Sequence, residues 1–309
     1  MIIRIGLFCA GLLGCGNAVA QQSVPRAADG HPDFQGVWES LWLTPLELPD
    51  GVPSIHLTDA EAMHVKQMFL EREDRRAKNQ LGTQGEIAIA TNLLRIDGGY
   101  RGSQVVDPPT GKIPFTPQAS ARLKAVRALA DDPDGPESFL RGTRCLTGTG
   151  LPPMTTSNFD NMRRIVQTPG YVVIYSESIT DTRIIPFASG IAAGLPRSMG
   201  GASFARWDGD VLVVETAQFD AQAPSGAAGP LGEEASIVER FWLNGPDELD
   251  FRYTVTDPQN LTQAWSGEMA WLRSSQRLYE TVCHEANYSL AYMLSAARLS
   301  ERRAAKPSH

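Results

Sequence analysis

The chain has 309 residues, 42% of them hydrophobic, with 28 basic and 35 acidic side chains and a net charge of −7. That mild acidity argues against nucleic acid and anionic lipid surfaces as partners, since both demand a basic face. The one basic run, Arg302-Arg303-Ala304-Ala305-Lys306, reads as the solvated end of a helix.

Met1 to Ala20 carries a positive charge at Arg4, an apolar run from Ile5 to Leu13, and Ala18-Val19-Ala20 ahead of Gln21-Gln22. Small residues one and three places before a cut are what a signal peptidase accepts, so the expectation is a signal peptide over 1–20. The apolar run is far shorter than the roughly 20 residues that span a bilayer, and nothing later approaches that length, so no integral membrane span is expected. Leu12-Leu13-Gly14-Cys15 offers a second reading as a lipobox, which would leave Cys15 as a lipidated N-terminus. Both readings take the protein out of the cytoplasm, to the periplasm or beyond. Cleavage after Ala20 leaves 289 residues, a net charge of −8 and two cysteines, Cys145 and Cys283. Two thiols in an oxidising compartment are expected to form a disulfide, the alternative being two separate buried thiols.

Residues 21–30 are polar and read as a disordered lead-in to a single β-rich domain over 31–309. Its first part, 31–161, is rich in helix and loop. Val37 and Trp38 suit a first strand. Thr58-Asp59-Ala60-Glu61 is a capping box that opens a helix to about Lys78, with Ala62, Val65, Met68 and Phe69 at three- and four-residue intervals. The prolines of Asp107-Pro108-Pro109-Thr110-Gly111 make a rigid turn. Thr116-Pro117 then caps a second helix to about Leu129.

From 162 to 285 the period becomes two, with strands expected at 163–167, 171–177, 183–187, 204–207, 210–216, 236–243, 248–256, 265–273 and 277–283. Three hairpins join them, through Asp208-Gly209, Asn244-Gly245-Pro246-Asp247 and Ser274-Ser275-Gln276. Such a meander predicts a mainly β fold with α additions, an antiparallel barrel or strongly curled sheet of lipocalin-like general shape. The Gly- and Ala-rich stretch 221–232 is the candidate mobile loop, and 286–302 closes the chain as an amphipathic helix carrying Leu290, Met293, Leu294 and Ala297 on one side.

Several landmarks recur together: Pro32-Asp33-Phe34-Gln35-Gly36-Val37-Trp38, Val106-Asp107-Pro108-Pro109, Arg144-Cys145-Leu146, Arg206-Trp207-Asp208-Gly209-Asp210, Glu239-Arg240-Phe241 and Cys283-His284-Glu285-Ala286-Asn287-Tyr288. With them the chain resembles, nearly end to end, a family of exported and largely uncharacterised bacterial proteins. It departs mildly from the usual Glu, Thr and Gly at Asp208, Val211 and Ala286. The resemblance implies export and a shared fold, and supplies no mechanism.

Chemistry points to two places. Cys283-His284-Glu285 is the densest cluster of reactive types, where a strand runs toward the last helix, and His titrates near neutrality. Adjacent strand residues face opposite ways, so His284 and Glu285 do not serve one another. The bland alternative is that both cap the helix around a disulfide. Glu177, Glu215 and Glu239 stand in or at the end of apolar strands, with Arg183, Arg240 and Arg252 available to pair with them. Parity sets Glu215 with Val213 and Val211, opposite Phe204 and Arg206, on either an outer wall or a lined cavity. A carboxylate held away from water would suit general acid or base work, whereas cross-strand ion pairs are often only structural.

The resulting expectation is a cofactor-free acid/base enzyme, a lyase, isomerase or hydrolase, acting on a small, partly apolar organic molecule. Its candidate catalytic groups are His284, Glu285, Glu215 and Glu177. Its candidate ligand contacts are Glu239, Arg183, Arg240, Trp207, Asn287 and Tyr288. A periplasmic carrier of a similar molecule, and an envelope structural or interaction protein, are the alternatives. No C-x-x-C, H-E-x-x-H or haem attachment sequence occurs, and no strand precedes G-x-G-x-x-G, so neither a metal nor another cofactor is expected.

Overall fold

A computed structural model describes residues 23–79, 90–131, 135, 144–146, 150–155, 161–177, 182–220, 229, 231–279 and 287–304. In chain order the elements are β1 (Gly36–Glu39), β2 (His56–Leu57), α1 (Asp59–Asn79), β3 (Arg95–Ile96), β4 (Gly99–Arg101), β5 (Val105–Asp107) and α2 (Pro117–Asp131). Then follow β6 (Met162–Gln167), β7 (Tyr171–Ser176), β8 (Thr182–Pro186), β9 (Ala202–Asp208), β10 (Val211–Ala217), β11 (Ser236–Leu243), β12 (Glu248–Thr256), β13 (Trp265–Ser274) and α3 (Ser289–Ala304). No helix among the described residues is long and apolar enough to cross a membrane.

The strands after Met162 form two meanders, β6-β7-β8 and β9 through β13, and β1 lies between them. The sheet order is β8-β7-β6-β1-β13-β12-β11-β10-β9, with β5 added beside β13. One early strand therefore staples two later hairpin systems, pairing Trp38 with Arg163 of β6 and with Arg273 of β13. The two outermost strands meet at a single bridge, Phe187 with Ala205, where the Ala188 amide donates to the Ala205 carbonyl. The sheet thus curls until its edges touch, but no ladder seals the seam. A closed barrel, one of the two forms expected, is not what is found.

Strict alternation positions the core. On β11, Ile237, Phe241 and Leu243 point inward, and on β12 Leu249, Phe251, Tyr253 and Val255 do the same. β13 departs from alternation: every residue from Trp265 to Trp271 is buried. Its inner side faces the core, while the 95–101 hairpin, whose Arg101 pairs with Glu268, covers its outer side, as a strand packed on both faces requires. The capping box forms as expected, with the Thr58 amide donating to Glu61 Oε2 at 2.8 Å and the Glu61 amide to Thr58 Oγ1 at 3.3 Å. These bonds hold the Glu61 carboxyl below its usual range. Ala62, Val65 and Phe69 of α1 pack with Leu57 and Leu93 into a small second core.

Three expectations are corrected. The lead-in is pinned rather than disordered over residues 24–30: Val24 packs on the core, and Arg26 bonds Asp210 through both guanidinium arms at 2.5 and 2.6 Å. The tight turn after β9 is Gly209-Asp210, one residue later than expected, because Asp208 pairs with Val211 and Gly209 takes a φ of 60°. The shift moves both strands by one, so the inward set is unchanged. Arg277 to Tyr279 is not strand; β1 and β5 already occupy the free edge of β13. The remainder of the expected 277–283 strand falls on 280–283, outside the described residues.

Candidate functional site

The inward parity that carries Ile237 and Phe241 also carries Glu239, which is fully buried. Arg183 enters the same interior from β8, on the parity of Ile185. The two meet across the seam: Arg183 Nη1 donates to Glu239 Oε1 at 3.0 Å and Nη2 to Oε2 at 2.6 Å. A parallel two-bond fork is the strongest geometry for this pair. Arg183 Nη2 also approaches Thr216 Oγ1 at 3.4 Å, and Thr216 shares a 2.8 Å hydrogen bond with Ser203. Met154 Sδ lies 3.7 Å from Nη1. A charged, hydrogen-bonded bridge thus ties β8 to β9, β10 and β11 where backbone pairing stops.

Tyr253 stands directly across from Glu239 on the neighbouring strand. Its ring lies over Gly267, where any side chain would collide with the phenol end. Burial, and then the charge of Glu239, push the Tyr253 hydroxyl above its usual pKa, so it keeps its proton. Trp265 meets Tyr253 edge-on with centroids 5.5 Å apart. Further along, Trp271 packs against Phe241 and Phe251, and the buried Arg163 guanidinium lies 5.3 Å from the Trp271 ring centroid. Ser176 sits opposite Arg163 on β7. Among the described residues, Tyr253 Oη, Trp265 Nε1, Trp271 Nε1 and Ser176 Oγ are buried without a hydrogen-bond partner. Most native proteins leave few such groups, because each costs about 1–3 kcal/mol when unmet.

At one end the interior is closed by aromatic stacking. The His31 ring lies flat on Trp207 with centroids 4.4 Å apart, and Phe34 and Phe187 complete the stack.

Of the expected site residues, Glu239 and Arg183 are brought together in this interior. Trp207 lines its plugged end under the N-terminal segment. Glu215 is on the outer wall, 37% exposed, 3.4 Å from Arg206. Arg240 is also outside, paired with Asp208 at 2.5 Å. Glu177 stands one residue beyond β7, half-buried, its amide donating to the Met162 carbonyl at 3.2 Å. Asn287 caps α3 by accepting from the Ser289 amide, and its Nδ2 lies 2.8 Å from Cys145 Sγ. Tyr288 is exposed beside Tyr292. Cys283, His284 and Glu285 lie outside the described residues, as does most of 221–232. Tyr253, Trp265, Trp271, Arg163 and Ser176 also face this interior, and residue type alone does not single them out. Their signal was parity, since each shares the inward register of an apolar neighbour.

No group of three or more His, Cys, Asp or Glu among the described residues is arranged to hold a metal ion. No protein-family model matches the chain, and no curated protein matches it.

Proposed function

We propose that the protein is exported to the periplasm or beyond and holds a small, partly apolar organic molecule inside the curled sheet, as a lipocalin-like carrier. One observation carries this reading: buried, unpartnered hydrogen-bonding groups on the inner wall, set among aromatic rings. Ligand sites are mostly apolar surfaces with a few placed polar groups, and the set around Tyr253 and Trp265 has that composition. The leader of Met1 to Ala20 and the resemblance to exported proteins support the compartment. Asn287, four residues beyond Cys283, reaches Cys145 Sγ, which supports a Cys145–Cys283 disulfide.

Carriage is favoured over acid/base catalysis by the carboxylates in view. Both oxygens of Glu239 are taken by Arg183, and Glu215 faces solvent. A catalytic reading depends on His284 and Glu285. Alanine at either would then abolish turnover of a bound compound while leaving binding and folding intact.

The test is a thermal-shift screen of the mature protein against small apolar and aromatic compounds, with native mass spectrometry to count bound molecules. Binders should raise Tm with one-to-one stoichiometry and perturb tryptophan emission, since Trp265 and Trp271 are in the wall. A panel in which nothing binds and no tryptophan responds would overturn the reading.

A further inference from the structure

The interior is unbalanced in its hydrogen-bonding capacity. Its carboxylate, Glu239, already accepts from both arms of Arg183. Among the described residues, the unpartnered groups on this inner wall include three that can only donate, Trp265 Nε1, Trp271 Nε1 and Arg183 Nε, and two hydroxyls, Tyr253 Oη and Ser176 Oγ, that can donate or accept. Tyr253 stays protonated because an anion there would be both desolvated and set against Glu239. A guest that supplies only donors can meet the two hydroxyls but leaves the indole N–H groups and Arg183 Nε unmet. A guest that supplies acceptors satisfies them.

Formal charge narrows the class further. The Arg183–Glu239 fork is neutral as a unit, so it offers an incoming ion no net counter-charge. A carboxylate near Tyr253 would also face Glu239 across one strand spacing. An ammonium would find no free carboxylate here, and its donors would leave the indole N–H groups unmet.

Resting on the interior as the binding site, we propose that it selects a neutral carbonyl compound: an aromatic or alicyclic frame bearing a ketone, quinone or ester oxygen as acceptor for the Tyr253 hydroxyl and the Trp265 indole N–H. The aromatic wall takes the frame and the donor pair fixes its orientation. Selection is by what the wall lacks as much as by what it presents, because rejection of a donor leaves buried groups unpaired.

Isothermal titration calorimetry on the mature protein with matched probes tests this. Two frames are used, one ring and two: acetophenone with toluene, benzoate and benzylammonium, and 2-acetylnaphthalene with naphthalene, 2-naphthoate and 2-naphthylmethylammonium. On whichever frame fits, the ketone should bind roughly tenfold more tightly than the hydrocarbon, the worth of one good hydrogen bond, and both ions more weakly than either. Tyr253→Phe should erase the ketone's advantage and leave hydrocarbon affinity unchanged. Trp265→Phe is the second variant and should reduce the same advantage severalfold. Tighter binding of either ion, or a ketone advantage untouched by both variants, overturns the donor-surplus inference while leaving interior binding standing. If no probe on either frame binds, the carrier reading itself fails, and the inference with it.

Discussion

Two acidic residues on adjacent strands, Glu239 of β11 and Asp250 of β12, are both fully buried, yet they live in opposite electrostatic settings. Glu239 points into the curl and receives Arg183 from across the seam. Asp250 points outward, beneath the cover formed by the N-terminal half, beside Glu248, Asp97 and Glu268. Neither of its oxygens makes a well-formed hydrogen bond, and the charge of the neighbouring Glu248 opposes its ionisation. The nearby guanidinium of Arg101 is spent on Glu268 at 2.7 Å, and Arg252 also leans toward Glu268, at 3.8 Å. Burial above all, then the charge of Glu248, pushes the Asp250 carboxyl up to about 8. Depth alone therefore does not decide whether an acid keeps its charge. The arrival of a cation from a third element does, and here it reaches one face of the sheet and stops one residue pair short on the other.

The largest test removes the cation that did arrive. Arg183→Met leaves Glu239 buried with an uncompensated charge, and should cost about 3–5 kcal/mol in urea unfolding. Arg183→Met combined with Glu239→Leu should recover most of that loss, because a well-packed apolar pair replaces a buried ionic one at little net cost. A single variant within about 1 kcal/mol of the parent would show that water reaches the seam and that the fork is not dry.

Next in size is the cation that did not arrive. Asp250 has its folded pKa, about 8, above the ordinary carboxyl value of 3.8. Between those two values the native state holds a proton that the unfolded chain has released. This group's contribution is therefore fully present below the lower pKa and is lost as pH rises, at about 1.4 kcal/mol per pH unit, until the upper one is passed. Asp250→Asn, the shape of the protonated form without its titration, should stabilise the protein at pH 7 by about 2–4 kcal/mol and flatten the decline from pH 5 to 8. Unfolding curves at pH 5, 7 and 9 measure it. A variant whose slope matches the parent's would place the titrating group elsewhere.

The contrast between these acids was half legible in the residues. Val-Glu-Arg-Phe on β11 sets Glu239 in register with Ile237 and Phe241, and Arg183 with Ile185, so an inward carboxylate and an inward arginine follow from period two alone. That the two meet depends on the curl bringing β8 round to β9, a long-range closure that no local pattern encodes. Glu-Leu-Asp-Phe-Arg on β12 reads as a strand with a wet outer face. It is dry at Asp250 because the 95–101 hairpin and Trp42, whose indole donates to the Ala270 carbonyl at 2.7 Å, are laid over it from a part of the chain that reads as loop and helix. Short strands such as β3 and β4 have too few residues to show a period. Similarly, Asp-Gly and Gly-Asp both occur in Asp208-Gly209-Asp210, and only the pairing of Asp208 with Val211 makes Gly209-Asp210 the turn after β9.

The smallest effect is expected at Glu215, and it tests whether the outer wall is as wet as its exposure implies. Glu215 and Glu239 stand on neighbouring strands one register position apart, Val214 facing Glu239 and Glu215 facing Val238, so they project from opposite faces of the sheet. Glu215 meets Arg206 at 3.4 Å with both side chains more than a third exposed. Water and salt screen such a pair, and the two long side chains lose rotamer freedom in making it, which leaves about 0–1 kcal/mol. Glu215→Gln should therefore change unfolding free energy by less than about 1 kcal/mol, and even less at high salt. Glu239→Gln, by contrast, strips the counter-charge from a buried arginine and belongs with the Arg183 variant in size. Equal losses for the two glutamines would mean that Glu215 is covered in solution by something that also excludes water, and the difference between the faces would lie in the assembly rather than in the sheet.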